Sequence, residues 1–246
     1  MNILVCISKA PDTTSKITFK DSNKTFNEDG VQFIVNPYDE WYALVRGLEL
    51  KEAQGGKVTI ISVGGSDYEP ILRKALAIGA DEAVRIDASP IDSDQVAGEI
   101  SGYAKTQAFD LILCGKETID YNGSNVGGMI AAHLNIPFIS NASKLDVNVT
   151  NAHIERDMQG GTEVLEAATP AVISCAKGMA EQRIPNMRGI MAARSKPLNV
   201  LPSFGASSNT EIVSFTLPAD KGSVKLIDPE NAEELINLLH TEAKVI

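Results

Sequence analysis

The chain has 246 residues, 43% of them hydrophobic and 22% charged, with a formal net charge of −10. That is enough for one large α/β domain, or a core domain with an appendage, in the composition of a globular protein. No apolar run approaches the roughly 20 residues of a membrane span, and the acidity argues against nucleic acid, since Arg188 to Lys196 carries only three positive charges.

The chain enters directly on Ile3 to Ile7, an apolar run that predicts a central parallel strand rather than a signal peptide. A polar loop, Ser8 to Thr13, follows, then a small hairpin around Ile17 to Phe26 and a short strand over Val31 to Val35. Asn36-Pro37-Tyr38-Asp39-Glu40 predicts a helix start, with Asn36 as N-cap and Pro37 at the first helical position. Trp41, Leu44, Val45 and Leu48 form its buried stripe, and Gly55-Gly56 ends it. Lys57 to Val63 is a second parallel strand, followed by a turn at Gly64 to Asp67. Helix from about Pro70 to Ile78, strand over Ala83 to Ile86 and helix over Asp94 to Ala104 continue the alternation, with Val96, Ala97, Ile100 and Tyr103 on one face.

Phe109 to Leu134 holds the strongest local signal. Leu111 to Cys114 is a buried strand ended by Gly115, and a polar loop leads to a helix beginning near Ser124. A strand feeding a loop and a helix N-terminus aims free N–H groups and a positive dipole end at the loop's mouth, which suits phosphate. Asn122-Gly123 makes the turn, and Gly127-Gly128 allow close approach to whatever the loop holds. Most α/β folds also contain empty units of this kind, so the local pattern leaves both readings open. The alternation predicts a parallel sheet with right-handed crossovers, whose ligands bind beyond the C-terminal strand ends. The loops after Cys6, Val63 and Gly115 meet there, joined by the Asn36 turn.

After Pro137 the pattern changes. Lys144 to Val149 alternates, a turn is predicted at Asn151-Ala152, and Ile154 to Asp157 and Thr162 to Glu166 complete an antiparallel meander over about 144–167. Pro170 to Cys175 returns to a buried strand. Residues 177–188 form a polar excursion, Gly189 to Ala193 a short helix, 202–222 an extended arm, and Asp228 to His240 a last amphipathic helix with Ala232, Leu235, Ile236 and Leu239 inward. Residues 1–200 are expected to form the α/β domain, and 201–246 an arm and helix that pack on a partner subunit or fold back.

Chemistry-bearing clusters are sparse. His133, His153 and His240 lie far apart, which argues against a shared metal site or a nucleophilic triad. Neither GxGxxG after the first strand nor a GKS/GKT loop is present. Cys6, Cys114 and Cys175 lie in apolar runs without a CxxC pair and read as buried thiols of a reducing, cytoplasmic setting. Glu155-Arg156-Asp157 reads as a solvated or interface face. Met179, Met187 and Met191 suit a docking surface or a core equally.

Taken together these segments resemble the β subunit of electron transfer flavoprotein, from Met1 to about Pro197. The resemblance is carried by KAPDT (Lys9 to Thr13), NPYDE (Asn36 to Glu40), ALAIGAD (Ala75 to Asp81) and GKETID…NVG (Gly115 to Gly127). ERDMQGGTEVLEAATPAVIS (Glu155 to Ser174) and RIPNMRGIMAARSKP (Arg183 to Pro197) follow. The resemblance implies a Rossmann-like α/β fold of the adenine-nucleotide α-hydrolase type, and an electron carrier without catalytic residues. It implies a heterodimer with an α subunit holding the redox FAD. Electrons would pass from flavin dehydrogenases, such as acyl-CoA dehydrogenases of fatty acid oxidation, to a membrane or soluble acceptor.

The resemblance further implies AMP in this chain, or a second FAD in the electron-bifurcating branch. By position the nucleotide contacts are Cys6, Asn36, Pro37, Tyr38, Asp39, Val63, Gly115, Lys116, Glu117, Thr118, Ile119, Asp120, Tyr121, Asn122, Gly123, Ser124, Asn125 and Val126. The excursion at 177–188 matches the family's recognition loop for dehydrogenases, with Met187 as its apolar anchor. The chain departs from many relatives at Tyr121-Asn122-Gly123, at Ile184-Pro185 and at Ala192, which leaves AMP against FAD and the choice of dehydrogenase open. The competing reading is a stand-alone ATP-binding module of the universal-stress type.

Overall fold

The structure, a computed structural model, describes residues 1–117, 123–148 and 150–246. In chain order, β1 (Asn2–Cys6), β2 (Lys9–Pro11), β3 (Phe19–Lys20), β4 (Thr25–Phe26) and β5 (Phe33–Val35) lead into α1 (Asp39–Gln54). β6 (Lys57–Val63), α2 (Glu69–Ile78), β7 (Glu82–Asp87), α3 (Ser93–Ala104), β8 (Leu111–Gly115) and α4 (Val126–Leu134) follow as crossover units. Then come β9 (Phe138–Asn148), β10 (Asn151–Met158), β11 (Gly161–Ala168), β12 (Ala171–Cys175), α5 (Met187–Ala193), β13 (Leu198–Pro202) and α6 (Ala232–Leu238).

Among the described residues nine strands form one sheet, in the order β11-β10-β9-β12-β8-β1-β6-β7-β13. From β1 the chain steps outward through β6 and β7, then returns to the other side of β1 as β8. That reversal makes the β1/β8 crevice the topological switch point, where ligands of open α/β sheets bind. Alternation along β1 sorts the core. Ile3, Val5 and Ile7 pack with α1 and α2, while Leu4 and Cys6 pack with α3 and α4 on the opposite face. β9 runs parallel to β12 and then antiparallel to β10, which carries the expected meander onto the main sheet. Val149 of the expected alternation lies outside the described residues.

Several expectations are corrected. Lys9–Pro11, read as loop, pairs with β5. Asn36 does not cap α1, which starts at Asp39 with Tyr38 in the capping position and no side-chain bond there. Its amide is used at longer range instead, donating to the Glu117 carbonyl at 2.8 Å. α4 starts at Val126 because Ser124 sits at φ 53°, in the left-handed region. Asn151 and Ala152 are paired strand residues rather than a turn. α5 begins at Met187, capped by Asn186, which accepts from the Gly189 N–H at 2.8 Å. β13 was unforeseen, since LNVLP carries too little apolar pattern to announce an edge strand beside β7. The stripe expected to face inward on the last helix is exposed, Leu235 by 46% and Ile236 by 58%.

Candidate functional site

A cavity of about 390 Å³ opens over the switch point, walled by the exits of β1, β6, β7 and β8. The β1 wall is Cys6 to Lys9. Its path is fixed by Ser62, whose buried hydroxyl donates to the Ile7 carbonyl at 2.6 Å, and by Glu40. The Glu40 carboxylate accepts from the Ser8 N–H at 2.9 Å and the Ser8 hydroxyl at 2.7 Å. Lys9, buried except at its tip, donates to Asp67 at 2.6 Å and to Glu28 at 3.1 Å, and lies 3.8 Å from the centre of the Phe33 ring. Its charge is thereby spent on holding the hairpin segment and the turn after β6 against one wall.

The β6 wall ends in Val63 and Gly64, with Tyr68 laid over the glycine. A Cβ on Gly64 would come within 2.3 Å of that ring. Buried Arg85 fastens the same turn by donating to the Gly64 carbonyl at 2.8 Å. The α3 wall is Pro90 to Ser93 together with Val96 and Ile100. Asp92 caps α3, accepting from the Gln95 N–H at 2.8 Å.

The β8 wall is Cys114 to Glu117, and residues 123–126 enter from the other end of the loop. Gly115 is required by contact with α1, for a Cβ there would lie 2.7 Å from the Glu40 side chain and 2.9 Å from its backbone nitrogen. Asp39 accepts from the Glu117 N–H at 3.2 Å, and burial raises its pKa against the pull of that bond. Gly127 and Gly128 lie against Phe138, 2.9 and 3.4 Å from the would-be Cβ atoms. They let α4 lie down on β9, which aims the helix start at the cavity. Asn125, in the capping position of that start, makes no side-chain cap bond.

Cys6 and Cys114 form the floor, on adjacent strands in register. The neighbouring Cys114 thiol and burial push Cys6 well above the ordinary thiol range. Cys175 lies on the other face of the sheet and burial raises its thiol as well. Glu155 and Arg156 pair with Lys144 and Glu163 across the meander, a structural role.

Of the residues expected to touch nucleotide, Cys6, Val63, Gly115, Lys116, Glu117, Gly123, Ser124, Asn125 and Val126 line this cavity. Asn36, Pro37, Tyr38 and Asp39 do not; Asn36 and Asp39 hold Glu117 from behind, and Tyr38 is exposed. Thr118, Ile119, Asp120, Tyr121 and Asn122 lie outside the described residues. Sequence reasoning missed Ser8, Glu40 and the Pro90–Ser93 segment as parts of the site. The Pro90-x-Asp92 turn ahead of a helix was a usable signal for the last of these.

The chain matches the electron transfer flavoprotein domain model over residues 23–203. It is 37% identical over 260 residues to the electron transfer flavoprotein subunit beta of Bacillus subtilis, covering 100% of both chains. It is 35% identical to the subunit of the same name from Thermoanaerobacterium thermosaccharolyticum, over 80% of this chain and 76% of that one. The caffeyl-CoA reductase-Etf complex subunit CarD of Acetobacterium woodii is 29% identical over 99% of this chain and 98% of its own. The chain belongs to the electron transfer flavoprotein β-subunit family.

Proposed function

We propose that this member of the electron transfer flavoprotein β family serves electron transfer as a non-catalytic subunit that holds an adenine nucleotide over the β1/β8 crevice. The observation that carries this reading is the cavity itself. It joins a switch point to a helix start without side-chain cap, and its α3 side is apolar at Val96 and Ile100. The first-turn N–H groups of α4 suit a 5′-phosphate, and the apolar wall suits a purine. At about 390 Å³ the cavity is near the lower end of small-molecule sites, the scale of a nucleoside monophosphate. The carboxylates on the described walls are already engaged, Glu40 by Ser8, Asp92 by Gln95 and Glu117 by Lys116, which reduces their repulsion of an anion.

The shared chemistry is the adenosine 5′-phosphate part of AMP or FAD. A bound flavin would add electron storage; AMP would add none. This chain's residues bind and orient the nucleotide and exclude water from its base. In this reading an α subunit carries the redox FAD and covers residues 211–246, whose last helix leaves Leu235 and Ile236 exposed. Flavin dehydrogenases dock at 177–188 and the helix after it, where Ile184, Met187 and Met191 are exposed by 83%, 74% and 67%. The universal-stress reading is not favoured, because the family match spans the meander and β13, which that reading does not require.

The test is acid extraction and mass spectrometry of the purified chain, alone and after co-expression with an electron transfer flavoprotein α subunit. One AMP and one FAD per heterodimer, or two FAD and no AMP, is expected, and which of the two patterns appears decides the branch. ATP recovered from a stable monomer, or no nucleotide in either preparation, would overturn the reading.

A further inference from the structure

The arm that leaves β13 does not run free. Phe204 fills the notch above Gly102, where a Cβ would meet the ring at 2.6 Å, and Ala206 fills the notch above Gly98 at 2.7 Å. Between the two glycines Glu99 is fully buried, accepting from the Ser203 hydroxyl at 2.5 Å, the Phe204 N–H at 2.6 Å and the Ala206 N–H at 3.0 Å. Two residues later the arm reaches the cavity. The Ser208 and Thr210 hydroxyls donate to the same Asp92 oxygen at 2.6 and 2.7 Å, and Asp92 is at once the cap of α3 and a cavity wall residue.

The arm then reaches the hairpin that follows the β1 exit. Phe215 stacks on Phe19 at 5.0 Å and its N–H donates to the Asn23 carbonyl at 2.7 Å. That hairpin segment is tied through Glu28 to Lys9, which lines the cavity from the β1 side. Five residues from Thr210 to Phe215 span at most roughly 17 Å, so the arm links the two walls by a short tether.

We propose that residues 203–215 are a strap that sets the width of the nucleotide cavity, with Ser208 and Thr210 as positioning residues acting through Asp92. This rests on the nucleotide reading above. The strap holds the first turn of α3 against the cavity and the hairpin against the β1 exit, so the walls reach their binding separation only with the arm in place. Linkage requires the converse: a nucleotide that favours the strapped rim tightens the arm by the same factor.

The test is calorimetric titration of the full-length chain, freed of nucleotide, with AMP and separately with FAD. The wild type, Ser208→Ala/Thr210→Val and Ser208→Thr/Thr210→Ser are compared. Loss of two hydroxyl bonds to a carboxylate is expected to weaken nucleotide binding about tenfold or more, and the hydroxyl-retaining pair to restore it. All three should keep the same circular dichroism spectrum at the titration temperature, with the alanine/valine pair melting somewhat lower, and amide exchange at Ala206 and Thr210 of the wild type should slow on adding AMP. Equal affinities in all three proteins, or arm exchange indifferent to a nucleotide that binds, would overturn the strap and leave the nucleotide site standing. If the wild type binds neither AMP nor FAD, the nucleotide reading falls and the strap with it.

Discussion

α3 and α6 begin alike. Each is capped by a side chain, Asp92 accepting from Gln95 and Asn231 accepting from Glu234, and each has acidic residues in its first turn. Both carry an apolar stripe at helical spacing. α3 buries Ala97, Ile100, Tyr103 and Ala104 against the sheet, whereas α6 buries nothing. Local chemistry therefore starts a helix in both places, but only a facing surface converts the stripe into stability. A helix as short as α6 is marginal without tertiary support, and its Leu235 and Ile236 are exposed, while α3 is supported within the chain.

The sharpest way to break the contrast is to remove a buried side chain from α3. Ile100→Ala should cost about 2–5 kcal/mol in urea unfolding, because Ile100 is only 2% exposed. Next in size is Glu99→Ala, which leaves the Ser203, Phe204 and Ala206 donors unpaired and should cost about 1–3 kcal/mol. It should also free the arm, so that trypsin cleaves after Lys221 sooner than in the wild type. Unchanged cleavage would mean that the arm is held by Phe204 and Ala206 packing alone.

Asp92→Ala is expected to lower the melting temperature less than either. The Ser208 hydroxyl, the Gln95 N–H and the Thr210 hydroxyl hold the Asp92 carboxyl well below the ordinary aspartate range. A depressed folded value means the stabilisation is complete above the unfolded value of about 3.9, and is lost as pH falls through the folded one. Wild-type melting should therefore drop more steeply than that of the variant between about pH 4 and about pH 2. Parallel profiles would remove Asp92 from the set of groups that hold the arm.

The smallest effect belongs to α6. Ile236→Ala should change the stability of the lone chain by no more than about 0.5 kcal/mol. The same change should weaken capture by an α subunit measurably, and amide exchange in α6 should be far faster than in α3 until that subunit is added. Slow exchange in α6 of the lone chain would show that the two helices do not differ in support.

Much of the fold was legible because the strand runs are continuous and the turns are punctuated by glycine. β6 is the expected Lys57 to Val63 segment, Gly55 and Gly79 end their helices, and the meander sits where alternation of polar and apolar residues put it. The errors cluster where a side chain is used at long range. Asn36 has the right chemistry for a cap, but it accepts from the Tyr38 N–H ahead of the helix and donates to the Glu117 carbonyl, 81 positions away. The packing of Phe138 on Gly127 and Gly128 is likewise something no local pattern names. β13 escaped because an edge strand needs pairing more than burial, and Leu198 to Pro202 is mostly exposed.

The sequence by itself determined the strand–helix alternation, the parallel sheet and three of the loops that meet at its C-terminal edge, those after Cys6, Val63 and Gly115. Those follow from periodicity and from connections too short to allow another topology. The tertiary structure alone decided that Cys6 and Cys114 lie side by side on the cavity floor and that Asn36 and Asp39 brace Glu117 from behind. It also decided that the first half of the arm clasps α3 while the last helix stays uncovered. Each of these depends on which surfaces meet in space, and residues about 100 positions apart, such as Asp92 and Ser208, carry no local mark of their meeting.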